Sequence, residues 1–448
     1  MSVVVDTNDG SHLLICKGAV EELFQACSLV QIGDEVGPVT DLIRKHVVRI
    51  SGEMNGDGLR VVAVAYRKFS PPKNAYSVAD ERQLTLAGYI GFLDPPRDSA
   101  REAIQALQKH GVKIKVLTGD NELVTRKICR DVGLESSPGV IGSAIEDMSD
   151  GELAVVVERE TIFAKLNPLQ KARVVHALKR QGHTVGFMGD GINDAPALRE
   201  ADVGISVDSA VDVAKESADI ILLEKSLLVL ERGVLEGRTT FGNITKYIKM
   251  TASSNFGNVF SVLIASAFLP FLPMMALHLL IQNLLYDLSQ LAIPWDRMDD
   301  EFLLVPRKWD PRGLRRFMML IGPISSIFDI TTYMVMWFVF HANRPERQAL
   351  FQSGWFIEGL LSQTLIVHMI RTAKIPFIQS RAANPVLLLT GTIMAAGIAL
   401  PFTSAGAAIG LQALPAIYFA WLAAILLGYC VVTQSVKVWY IRRFGTWL

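Results

Sequence analysis

A chain of 448 residues is too long for one ordinary domain. Its 44 basic and 44 acidic residues cancel, so no electrostatic footprint for nucleic acid is present. Half of the residues are apolar, but unevenly: charges run throughout up to about Phe241, and beyond Thr251 long apolar blocks alternate with short polar loops.

Residues 1–90 read as a small α+β unit. Segments 13–16, 59–65 and 84–90 carry strand patterning, and 20–27 reads as a helix. The opening Met1-Ser-Val-Val-Val-Asp-Thr7 is neither basic nor a long apolar run, so no signal peptide is expected. Cys16, Cys27, Cys129 and Cys430 show no C-x-x-C spacing and read as reduced, small hydrophobes.

From residue 91 to about 223 strands and helices alternate, which predicts a doubly wound parallel sheet. Ser99-Ala-Arg-Glu102 predicts a capping box for a helix that Gly111 ends. A strand at 113–117 leads into the Thr118-Gly-Asp-Asn121 turn and a helix reaching about Asp131. A strand at 161–164 precedes Asn167-Pro168, a helix start with proline near the first helical position. Further strands are expected at 184–188, 203–207 and 219–223.

Beyond Thr251 six spans of bilayer length are expected, at about 252–270, 274–293, 317–341, 353–370, 385–402 and 415–436. The 294–316 and 371–384 loops are rich in Lys and Arg, whereas the turns near Pro270 and 403–414 carry no charge. Positive loops stay cytoplasmic, so the soluble half and the last residues are expected inside a bacterial plasma membrane.

Chemistry concentrates in the turns at predicted strand ends. Met188-Gly-Asp-Gly-Ile-Asn-Asp194 places Asp190 and Asp194 just beyond a buried strand, where open α/β sheets bind ligands. Two carboxylates there suit Mg²⁺ beside a phosphate. Thr118 offers a hydroxyl at a helix N-terminus, and Lys171 an ammonium able to neutralise a phosphoryl oxygen. Phosphoryl transfer needs such positioning and charge neutralisation more than covalent help.

In the apolar half, Asn255 and Asn258 share one helical face, and Asn283 and Asp287 another. An intramembrane carboxylate usually marks an ion pathway. Asp329 and Glu358 are further acids inside predicted spans, either lining the pathway or pairing with polar neighbours.

This ordered series resembles the haloacid-dehalogenase-like phosphorylation domain of the P-type ATPases. The resemblance implies that Thr118 contacts the phosphoryl group, Lys171 neutralises it, Asp190 holds Mg²⁺, and Asn193 and Asp194 support the site. Lys17-Gly18-Ala and Arg60 resemble the family's ATP pocket, and Asp94-Pro-Pro-Arg97 its interdomain hinge. Residues 1–90 then belong to a nucleotide-binding domain, 91–240 to the phosphorylation domain and 241–448 to a six-helix transmembrane domain.

Asn255, Asn258, Asn283 and Asp287 match ion-binding positions of the related calcium pumps. Ser253-Ser-Asn-Phe-Gly-Asn-Val-Phe260 and Phe351-Gln-Ser-Gly-Trp-Phe-Ile-Glu358 look like bacterial magnesium-importing members. The family's Asp-Lys-Thr-Gly nucleophile and Thr-Gly-Glu motif do not occur in the sequence. The expectation is therefore the C-terminal half of a magnesium pump, forming no phosphoenzyme alone, with ATP and Mg²⁺ as cofactors and an N-terminal half as partner. The alternatives are a pump for H⁺ or Ca²⁺, and a non-catalytic membrane subunit that senses ATP or Mg²⁺ or serves assembly.

Overall fold

The computed structural model describes residues 1–134, 138–224 and 226–448. It divides into two units, Met1–Arg232 and Gly233–Leu448.

The first unit opens with a six-stranded sheet: β1 (Ser2–Asp6), β2 (His12–Ala19), β3 (Cys27–Ile32), β4 (Glu35–Pro38), β5 (Leu59–Phe69) and β6 (Leu84–Leu93). Their spatial order is β1-β2-β5-β6-β3-β4, and only the β3–β6 pairing is parallel. One face buries Leu14, Cys16, Ala63, Ala65 and Leu86 under α1 (Val20–Gln25) and α2 (Asp41–Gly56), through Phe24 and Val47. Alternate residues turn the other way, as the two-residue period of a strand requires. There Val3, Val5, Ile90 and Phe92 remain exposed. The expected strands lie inside β2, β5 and β6, but β1, α2 and the β3–β4 hairpin were not anticipated. The hairpin reverses at Gly33, whose φ of 63° is easy only for glycine.

The alternating region follows as α3 (Asp98–Lys109), β7 (Val116–Leu117), α4 (Glu122–Asp131), β8 (Val140–Ile141), α5 (Gly142–Asp147), α6 (Asp150–Arg159) and β9 (Ile162–Ala164). It continues with α7 (Pro168–Arg180), β10 (Gly186–Met188), α8 (Ala195–Glu200), β11 (Val203–Val207), α9 (Asp212–Glu216) and β12 (Ile220–Leu222). The strands are parallel but form two sheets, β7-β9-β8 and β10-β11-β12, rather than one continuous sheet. Leu117 of β7 and Val185, just before β10, pack against the cores of both. The two sheets therefore adjoin, and β7 and β10 each pair with a strand on one side only among the described residues.

Two local expectations need correction. The Ser99 capping box does not form: α3 starts at Asp98, and its N-cap is Arg97, whose side chain makes no capping bond. Pro95-Pro96 favours an extended approach, and Arg97 keeps that conformation, so Ser99 falls inside the helix. The 113–117 strand shrinks to Val116–Leu117. By contrast Asn167 does cap α7, accepting from the Gln170 amide at 2.8 Å.

The second unit is helical. Long helices α10 (Leu227–Phe268) and α11 (Ala276–Gln290) are followed by the single turn α12 (Asp300–Leu303). Then come α13 (Pro311–Met334, extended by a π turn over Val335–Val339), α14 (Gln348–Ile370), α15 (Asn384–Ala399), the short α16 (Ser404–Ala408), and α17 (Ala416–Phe444). Among the described residues three segments are long and apolar enough to cross a membrane: Pro311–Val339, Asn384–Phe402 and Ala416–Phe444. Helix α14 is the hub, with every residue of 351–364 buried.

Small residues allow close helix approach, as in membrane bundles. A Cβ on Gly257 of α10 would sit 2.8 Å from the Gly322 carbonyl of α13, and Ser326 Oγ donates to the Gly257 carbonyl at 3.0 Å. The loop after α11 is fixed by buried charge. Asp296 Oδ2 accepts from Lys246 Nζ and Arg371 Nε, each at 2.8 Å, while Oδ1 accepts from the Ala383 amide at 3.1 Å. Asn243 adds bonds to the carbonyls of Pro294 and Asp296. Burial alone would raise the Asp296 pKa, but Arg371 and Lys246 together outweigh it and hold the carboxyl below its ordinary value.

Candidate functional site

In the first unit the phosphoryl-handling candidates lie on the turns that follow β7 and β10 and on the first turns of α7. Lys171 sits one turn into α7 because Asn167 and Pro168 fix where that helix begins. Its ammonium is nearly buried and donates to Asp194 Oδ1 at 2.7 Å. Asp194 Oδ2 accepts the Gly191 amide at 3.0 Å, so both of its oxygens are engaged. A side chain at Gly189 would collide with Asp194, its Cβ falling 2.5 Å from that of the aspartate. The glycine is thus required by packing in the turn. Ser206, fully buried on β11, donates to the Gly189 carbonyl at 2.9 Å and steadies the same turn. Sequence reasoning missed it; only its place in an apolar strand two turns downstream hinted at a role.

Thr118 and Asp120 close a compact turn, with Thr118 Oγ1 accepting the Asp120 amide at 3.1 Å. The Leu166 amide donates to the Thr118 carbonyl at 3.0 Å, which ties this turn to the approach of α7. Asp190 and Asn193 lie exposed on the loop after β10. Lys171 and Asp194 are thus joined directly, and Thr118 is linked to the start of the lysine helix through backbone. Among the described residues no group of three or more His, Cys, Asp or Glu side chains converges as a metal site.

The nucleotide candidates occupy the open face of the six-stranded sheet. Lys17 pairs with Val64, and Arg60 stands four residues from Val64 on the same strand, so both side chains fall on one face. Both are exposed, beside the exposed Phe92 that pairs with Arg60. Gly18, which pairs with Ala63, turns to the opposite face, and nothing lies within 4 Å of a Cβ built on it. Arg60 reaches Asp120 Oδ1 at 3.6 Å, a contact between the sheet and the Thr118 turn that the sequence did not reveal. Asp94 and Arg97 are exposed on the segment joining β6 to α3, Arg97 as its N-cap.

In the second unit the four expected ion ligands are not brought together. Asn258 is half-buried and accepts from Gln363 Nε2 of α14 at 2.7 Å. Asn255, Asn283 and Asp287 are exposed. On α11 the polar pair shares its outward face with Leu280, Leu284 and Leu291, while Gln282, Tyr286 and Gln290 turn inward. Among the described residues no hydrogen bond joins members of the set of four.

Comparison with known proteins gives these arrangements a context. A family model described as the cation-transporting ATPase C-terminus matches residues 271–439, and one for P-type ATPase cytoplasmic domain N matches residues 1–99. "Magnesium-transporting ATPase, P-type 1" of Salmonella typhimurium strain LT2 is 61% identical over 447 residues, 99% of this chain and 49% of that protein. The Escherichia coli K12 protein of the same name is 60% identical over 445 residues, 99% of this chain and 50% of its own. The chain belongs to the P-type cation-transporting ATPase family. This P-type ATPase chain spans about half the length of the curated relatives it matches. A "Calcium-transporting ATPase" of Bacillus subtilis is more distant, 29% identical over 88% of the chain and 45% of that protein.

Proposed function

We propose that this P-type ATPase chain is the C-terminal half of an ATP-driven magnesium pump, importing Mg²⁺ across a bacterial plasma membrane. The observation that carries the catalytic reading is the Lys171–Asp194 pair. Asp194 fixes the lysine in one orientation beside the turn that follows β10. An ammonium so held is ready to meet a phosphoryl oxygen without reorganising. Thr118 supplies a hydroxyl to the same group, and Asn193 helps order the turn.

A Mg²⁺ ion at this site would take Asp190 as a protein carboxylate, completing its shell with water and phosphate oxygens. Hard oxygen donors with few protein ligands suit that ion. Magnesium supplies charge neutralisation for the phosphoryl group when bound. On the sheet face, Lys17 and Arg60 are placed to hold ATP, beside the exposed Phe92. The phosphorylation domain reads as haloacid-dehalogenase-like, with the adjoining edges of β7 and β10 as the place for a further parallel strand.

All six long helices of the second unit are proposed to span the bilayer, with the Asp296 loop and the 371–383 loop on the cytoplasmic side. The transported ion is assigned to Asn255, Asn258, Asn283 and Asp287. Their exposure is expected if helices of an N-terminal half cover that face. The printed names of the Salmonella and Escherichia relatives favour Mg²⁺, and the Bacillus relative keeps Ca²⁺ as the second reading.

The test is co-expression with an N-terminal half carrying the Asp-Lys-Thr-Gly motif. The pair should form an acid-stable phosphoenzyme from γ-labelled ATP and show Mg²⁺-stimulated turnover, and this chain alone should form none. Labelling of this chain alone would refute the split of labour, and stimulation by Ca²⁺ but not Mg²⁺ would move the assignment to the second reading.

A further inference from the structure

Two carboxyl groups inside the helical unit have no role in this scheme. Asp329 of α13 is 3% exposed and Glu358 of α14 is fully buried. Asp329 is well supplied with donors: Ser261 Oγ reaches Oδ2 at 2.5 Å, and the Trp355 indole Nε1 reaches Oδ1 at 2.8 Å. Glu358 differs. Neither of its oxygens has a hydrogen-bond partner among the described residues.

Trp355, which donates to Asp329, stands three residues before Glu358 on α14, and the two carboxyls act on one another. Two carboxylates cannot bond to each other, since both only accept. One added proton turns that contact from a repulsion into a hydrogen bond. The remaining surroundings offer no countercharge. The neighbours that act on Glu358, Ser362, Thr332, Tyr333 and Tyr418, are uncharged, with Tyr429 further along. No lysine, arginine or histidine acts on either acid among the described residues. An isolated charge in such surroundings is expensive, and two adjacent ones more so.

We propose that Asp329 and Glu358 form a buried proton-binding site, sharing one proton between their carboxyls, separate from the Asn255, Asn258, Asn283 and Asp287 set. A proton fits better than a metal ion. The Trp355 N–H already points at one Asp329 oxygen and the Ser261 hydroxyl at the other, and a cation there would have to displace both donors. Two carboxyls and two hydroxyls also fall short of the six to eight oxygens that Ca²⁺ gathers. The site rests on the proposal that α13 and α14 lie within the membrane, but not on which ion is pumped.

Infrared spectroscopy of the full-length protein that carries these residues, in lipid nanodiscs at neutral pH, tests the site without ATP or Mg²⁺. A failure of the transport reading would therefore leave this result unaffected. The expected result is a protonated-carboxyl C=O band that shifts or is lost in Asp329→Asn and in Glu358→Gln. Its absence from the folded wild type, or an unchanged band in both variants, overturns the proposal. Should either variant misfold, Trp355→Phe decides: removing the indole donor must shift the wild-type band, and an unshifted band counts against the site.

Discussion

Replacing Asp296 by alanine removes the only carboxylate bridging Lys246 and Arg371 among the described residues. Lys246 is fully buried, Arg371 is 3% exposed, and each donates to the same oxygen at 2.8 Å. Breaking a buried pair strands the remaining charge, at a cost of about 3–5 kcal/mol. Here two cations are stranded, and the Ala383 amide also loses its acceptor, so the upper part of that range is expected. That corresponds to roughly a thousandfold shift in the folded-to-unfolded ratio. The assay is equilibrium unfolding of the detergent-solubilised protein, followed by near-ultraviolet circular dichroism. Asp296→Asn keeps the shape and separates loss of charge from loss of volume. The pH dependence has a definite sign. The carboxyl is held below its ordinary value of 3.8, so its stabilisation is fully present above that pH. It is lost only as the pH falls through the lower, folded-state value. A cost under about 1 kcal/mol for Asp296→Ala, the level of an exposed pair, would refute the buried-clasp argument.

In the assembled pump, Lys171→Met should lower turnover about 10²- to 10³-fold, the usual loss for one preorganised charge donor, as read by phosphate release. Unchanged turnover would remove the lysine from the site. Asp287→Ala should abolish Mg²⁺-stimulated ATPase activity while the protein still reaches the membrane, checked by fractionation; wild-type activity would dismiss Asp287 as a ligand. Burial pushes the Cys27 and Cys129 thiols up to about 11. Little thiolate then exists at neutral pH, so both should alkylate far more slowly than a free thiol in the folded protein. Rapid labelling by intact-mass spectrometry would contradict that.

Much of the strand–helix alternation was legible because strands such as 203–207 are short apolar runs bounded by turn residues. The start of α7 was legible for a local reason: Asn167 and Pro168 set it with their own side chains. Ser99 misled for the complementary reason, since the constraint that moved the helix start lay upstream, in a pair of prolines. The Lys171–Asp194 pair joins residues 23 apart, and no spacing rule predicts it. The Arg60–Asp120 contact and the Asp296 clasp are more distant still, and exist only once the chain has folded. The six apolar blocks foretold the long helices of the second unit. They did not foretell that α10 would begin at Leu227, because its first turns are charged and carry no bilayer signal.

The outward-facing Asp287 has a bearing on biogenesis. Asp287 stands three residues before the end of α11, and a carboxylate carried into the bilayer costs up to roughly 2.5–3.5 kcal/mol, the figure for a helix centre. Helix α11, only 15 residues long, must offset that charge together with the amide of Asn283. On the proposed topology such a segment enters the bilayer poorly by itself. Neighbouring helices must then shield it, so under the proposed function the residues assigned to carry the ion are also those that tie the insertion of α11 to its partners.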